Sequence, residues 1–219
     1  MNPVYPKYEP ISLKNHRIPE FLRFMKLGGP IVEISKFKEL LPIGLCYWNV
    51  DAMIRRHGGS VVHGWDVSIW RKSHISAMHH AIWQSPEGEL FDVTEAYPTT
   101  QTKTHSTFVA DDSIQIDLQH APHVPGRLLP ITDNARTRDY IENLKALHAI
   151  DKQMADILFD NGYRCENQFA MSQGAPSGAG LVNLEPLLRS QAAIAPLISK
   201  QQAISIRLGS SINSLSAAF

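Results

Sequence analysis

The chain reads as an α+β protein, and three observations carry that reading. Residues 46–57 place Tyr47, Val50 and Ile54 along one helical face and run into Gly58-Gly59, where a helix needs a left-handed cap. Directly behind them Trp65, Val67 and Ile69 alternate with Asp66 and Ser68, the period-two pattern of a half-buried strand. Ser85-Pro86-Glu87-Gly88 then joins two further strand-like runs with the chemistry of a bulged hairpin, proline presetting one φ and glycine supplying a positive one. Together they imply one helix packed on a small antiparallel sheet.

Taken in order, the first fifteen residues form an extended arm. Residues 18–26 and 34–41 are expected to be short helices separated by Gly28-Gly29-Pro30, the second stopped by Pro42. After the helix at 46–57 come strands at 61–70, 77–83 and 89–94. Residues 95–135 have loop character, rich in Thr, Asp, His and Pro, with one strand at 113–118. Asp133 or Asn134 caps a long helix whose stripe is Ile141, Leu144, Leu147, Met154, Ile157 and Leu158, closing at Asn161-Gly162. SQGAPSGAG at 172–180 reads as a flexible linker. Beyond it a helix starts at Pro186, breaks at Pro196 and gives way to a Ser/Ala-rich end.

Composition removes several classes of function. The 219 residues and 24.5 kDa suffice to bury a core without metals or disulfides. Twenty-one Lys+Arg balance twenty-one Asp+Glu with no block of like charge, which argues against a nucleic-acid partner held through phosphates. Hydrophobic content of 43% against 19% charged excludes a disordered chain. No run of eighteen apolar residues predicts a membrane span. The opening residues lack the apolar stretch of a signal peptide, so the default address is cytoplasmic, export by a signal-independent route being equally compatible.

Two cysteines cannot make a disulfide framework, so each is judged singly. Cys46 opens a helix, where roughly half a positive charge favours the thiolate, the form that attacks. A histidine can take and return its proton, and a carboxylate on the far side of the ring fixes the tautomer. If the hairpin turns about Pro86, partners have numbers summing to 172 and His80 lies directly opposite Asp92, with Cβ atoms about 4.5–5.5 Å apart. His79 then faces away; a one-residue slip would exchange the two histidines.

Cys46 and its helix, Gly58-Gly59, Gly64-Trp65, His80-Ala81-Ile82-Trp83 and Leu90-Phe91-Asp92-Val93-Thr94 together resemble the transglutaminase-like core of the papain-fold cysteine enzymes, including uncharacterised bacterial members. The resemblance spans residues 44–95. It implies Cys46 as nucleophile, His80 as general base and Asp92 as orienter, with no cofactor and no metal. The superfamily holds proteases, amidases, deamidases, acyl-transferring cross-linkers and N-acetyltransferases, and fold does not choose among them.

The remaining residues have competing readings. Trp65 or Trp83 walls a substrate groove or simply fills the interface between helix and sheet. Asn49 is either a polar donor beside the thiol or a solvent-facing helix residue. The backbone N–H of Cys46 is the candidate oxyanion donor. Cys165 lacks a His and Asp sequel and reads as structural, while His120 and His123 lie too loosely for a zinc hydrolase without HExxH. The expected division is a catalytic domain at 1–171, the linker at 172–180 and a C-terminal segment at 181–219, which either binds a partner or packs back. The expected function is a cysteine hydrolase cleaving a peptide, isopeptide or side-chain amide bond through a thioester on Cys46. Acylation of an amine, or a non-catalytic interaction domain keeping the fold, are the alternatives.

Overall fold

The computed structural model describes residues 6–96 and 104–218. It is a mixed α+β fold whose strands curl into a barrel. The elements are β1 (Glu9–Pro10), α1 (Ile18–Met25), β2 (Val32–Leu41), α2 (Cys46–His57), β3 (Ser60–Trp70), β4 (His74–Gln84), β5 (Leu90–Thr94), β6 (His105–Ala110), β7 (Arg127–Pro130), α3 (Ala135–Asp160), α4 (Glu166–Ser172) and α5 (Glu185–Ala218). The sheet order is β1-β3-β6-β2-β5-β4-β7, and a further β3–β4 pairing closes β3-β6-β2-β5-β4 upon itself. Closure removes the open edges that a flat sheet would expose. Only β2–β5 is parallel; the other ladders are antiparallel.

Parity along the strands identifies the barrel interior. Ile34, Ile82 and Phe108 form one buried cluster with Val32, Val62 and Leu90, so all five barrel strands contribute to it. Their neighbours of opposite parity point outward. Ala81, Trp83 and Val93 lie against Val50 and Met53 of α2, while Trp65, Val67, Ala77 and Val109 lie against Phe21 of α1 and Ile11 of the N-terminal arm. Farther along β3 and β4, on the face that Val62 and Ile82 share, Trp70 and Leu128 meet Tyr140 and Ile141 of α3 and Ile212 and Leu215 of α5 in a third cluster.

Residues 34–41 are a strand, not the expected helix. Ile34, Phe37 and Leu41 lie at helical spacing, but the segment is also Ile34 in, Phe37 out, and pairing on both sides, with β5 and with β6, decides between the two. No strand forms at 113–118, which is an irregular segment covering the barrel. Its Ile114, Ile116 and Leu118 nevertheless pack on two outer clusters, so the alternation is real while the ladder is absent. The strand at 105–110 was hidden among Thr and His residues whose polarity is inward-facing or bonded: Ser106 and Thr107 are both buried.

The long helix starts as expected, Asn134 accepting a hydrogen bond from the Arg136 N–H. Ser172 ends α4, residues 173–174 and 177–180 form turns, and the Gly178 N–H donates to Asn167 Oδ1 at 2.7 Å. Pro196 does not end the last helix; α5 runs through it to Ala218 and lies along α3, so the apolar residues Leu197, Ile204, Ile212 and Leu215 are buried. No helix among the described residues is long and apolar enough to cross a membrane.

Candidate active site

The hairpin that carries two of the expected residues turns one residue later than its proline suggested. The Gly88 N–H donates to Ser85 O at 2.9 Å, the Ser85 N–H to Glu89 O at 2.8 Å, and Gly88 has φ +89°. This is a three-residue loop closed by a glycine bulge. The pairs are Trp83 with Phe91 and Gln84 with Leu90, which sum to 174 rather than 172. A shift of two preserves parity, so His80 and Asp92 keep a common face but meet diagonally instead of directly opposite.

That common face is the barrel interior. His80, Asp92, Lys36 and Ser106 have the parity of the interior residues Ile82, Leu90, Ile34 and Phe108, and they make a polar layer beside that apolar cluster. His80 Nε2 lies 3.2 Å from Asp92 Oδ1. Nε2 makes no hydrogen bond, so this is an ion-pair contact. The Asp92 side chain, 1% exposed, is otherwise saturated. Its Oδ2 accepts from Lys36 Nζ at 2.7 Å and Ser106 Oγ at 2.5 Å, and its Oδ1 accepts from the Thr94 N–H at 3.0 Å.

Electrostatics follow from these contacts. Burial works against ionised Asp92, but the His80 imidazolium and the Lys36 ammonium outweigh it and hold the carboxyl far below the usual range. Burial likewise works against protonated His80. The Asp92 carboxylate and the Cys46 thiol, both within interaction range of the ring, reverse that and lift its pKa well above the ordinary imidazole value. Cys46, half-buried at the first position of α2, lies within electrostatic reach of that ring, so Cys46, His80 and Asp92 form an array drawn from three separate elements.

Other motif residues hold that array together. Asn49 is fully buried, neither facing solvent nor lying beside an open groove; its Nδ2 donates to Pro42 O at 2.8 Å and to Thr94 Oγ1 at 3.0 Å. It therefore ties the first turn of the Cys46 helix to the end of the Asp92 strand. Trp83 pins the other end of the helix, its Nε1 donating to Gly58 O at 2.9 Å. It lines a surface hollow with Phe37, His57 and Pro86, eleven residues and so roughly 16 Å along α2 from Cys46. Gly64 stands opposite His80 in the β3–β4 ladder. A Cβ there would fall 2.2 Å from Val109 O and 2.5 Å from Phe108 Cζ, so only glycine allows β6 to approach.

Trp65 is 2% exposed, donates from Nε1 to Asp111 Oδ2 at 2.8 Å and meets the His79 ring edge-on at 5.0 Å. His79 lies on the outer face with Nδ1 2.8 Å from Tyr47 Oη, its pKa pushed down to about 4 chiefly by burial. Cys165 is 1% exposed beneath Gln119 O, and burial pushes its thiol up to about 11. His120 stacks on Phe159 at 4.3 Å and contacts Asp156 Oδ1 at 3.0 Å. Among the described residues no group of three or more His, Cys, Asp or Glu side chains could hold a metal ion.

Sequence reasoning missed Lys36 and Ser106. The signal for Lys36 was present, since it follows Ile34 by two residues, but becomes visible only once the segment is read as a strand. Comparison with known proteins adds no assignment: no family model, curated protein or solved structure matches the chain.

Proposed function

We propose that the protein is a papain-like thiol hydrolase that cleaves an amide, peptide or isopeptide bond. The observation that supports it is Cys46 at a helix N-terminus, within electrostatic reach of an imidazole whose Nε2 contacts a buried carboxylate. An imidazolium–thiolate pair is the resting form that such surroundings favour. The thiolate attacks the carbonyl carbon and the C=O electron pair moves to oxygen. His80 gives its proton to the departing amine as the C–N bond breaks, leaving a thioester. Water then loses a proton to His80 as it attacks the thioester, and the carboxylic acid leaves with the C–S bond electrons returning to sulfur.

The N-cap residue Leu45 supplies no side-chain hydrogen bond, so the first-turn N–H groups, that of Cys46 among them, are free of a side-chain cap and suit the developing oxyanion. Both cysteines are free thiols, and a thiol nucleophile suits the reducing cytoplasm. The test is the pH dependence of iodoacetamide labelling. Labelling confined to Cys46, rapid well below pH 8 and slowed in His80→Ala, is the expected result. Labelling at the rate and pH of an ordinary free thiol would overturn the proposal.

A further inference from the structure

We propose that Lys36 is a positioning residue that sets the pH window of the Cys46–His80 ion pair by neutralising Asp92. This inference rests on the thiol-enzyme reading and concerns how its site is tuned. Lys36 Nζ, on a side chain 12% exposed, donates 2.7 Å bonds to Asp92 Oδ2 and to the carbonyl of Thr94. Burying an ammonium costs several kcal/mol unless it is fully paired, and Ser106 Oγ already occupies the same carboxylate oxygen. Holding Asp92 in place therefore does not by itself require a second cation.

What the cation changes is the charge total. Lys36 from β2 and His80 from β4 flank Asp92 from β5 at 2.7 and 3.2 Å, with neutral Ser106 from β6 and with Cys46 from α2 within electrostatic reach of the ring; outside the barrel, His79 feels His80 and Tyr47 feels Cys46. With an ammonium, a carboxylate, an imidazolium and a thiolate the cluster is neutral. Without the ammonium it carries a net negative charge, which makes both the thiol and the imidazolium hold their protons to higher pH. Lys36 thereby keeps the ion pair within the neutral range.

The experiment follows both edges of the window. Iodoacetamide labelling of Cys46 against pH gives the lower edge, and the ring carbon resonance of His80 gives the upper, in wild type, Lys36→Met, Lys36→Gln and Lys36→Arg. Both edges are expected to rise by roughly one pH unit in the two neutral variants and to stay in place in Lys36→Arg. Ser106→Ala, which loses a bond to the same oxygen but no charge, is expected to leave both edges unmoved. Unchanged edges in the neutral variants would overturn the inference while an early-labelling wild type preserved the enzyme reading. A wild type that labels as an ordinary thiol would remove the reading itself. Failure of both neutral variants to fold, with Lys36→Arg folded, would assign Lys36 to the scaffold and also overturn the inference.

Discussion

Replacing Asp92 by Asn removes one charge from the barrel interior while keeping its volume. In the native chain the carboxylate accepts from Lys36 Nζ, Ser106 Oγ and the Thr94 N–H and contacts His80 Nε2 at 3.2 Å. The amide has one acceptor oxygen for these groups and turns an NH2 toward at least one donor. Lys36 is left buried without a counter-ion, a loss of about 3–5 kcal/mol. For a chain of this size each kcal/mol lowers Tm by about 2–4 °C, so the expected fall is on the order of 10 °C. The second effect is chemical. A carboxylate this close raises a partner's pKa by roughly one to three units, and losing it releases the His80 proton, which on the proposed mechanism is the counter-ion of the attacking sulfur. Cys46 alkylation at pH 6.5 should slow at least about tenfold. Calorimetry and mass-resolved labelling on the same sample read both effects. A Tm within about 2 °C of wild type, or alkylation at the wild-type rate, would refute the reasoning.

Two further outcomes follow from particular contacts. His74 is fully buried between Tyr8 and Ser73, and burial pushes its pKa down to about 4, as it does for His79. Each contributes stability that is complete above the ordinary imidazole pKa near 6.5 and is lost as pH falls toward 4, on the order of 3 kcal/mol per ring; ring NMR should find both neutral at pH 5.5, and a midpoint near 6.5 for either would contradict the burial argument. Gly64→Ala would force a methyl group to within 2.2 Å of backbone at Val109, so a loss of at least about 3 kcal/mol is expected in denaturant titrations; a variant melting with wild type would show that β3 and β6 are not so close.

Much of the arrangement was legible where the local pattern and the tertiary demand agree. Cys46 to His57 reads as a helix from its apolar spacing and its glycines, and the alternation after it reads as strand because the same residues bury one face. The diagonal meeting of His80 and Asp92 survived an error in the turn because side chains repeat every second residue. Lys36 was not legible for the converse reason: its segment satisfies a helical pattern locally, and only the flanking β5 and β6, distant in sequence, make it a strand. Barrel closure is likewise a property of pairings, not of any window of residues. Trp83 and Asn49 were expected to serve the substrate, whereas the structure gives them hydrogen bonds that anchor the two ends of α2.

The closed ring of strands has a consequence for how the site can fail. Cys46, His80, Asp92 and Lys36 belong to four elements, and the strands among them are neighbours in a circuit with no free end. Detaching one strand breaks two ladders and opens the interior to water, which dismisses the charges from one another at the same moment. The layer of Lys36, His80 and Asp92 therefore has no partially assembled form of its own: it should be lost at the temperature where the barrel melts, with no earlier stage in which a folded barrel holds these charges apart.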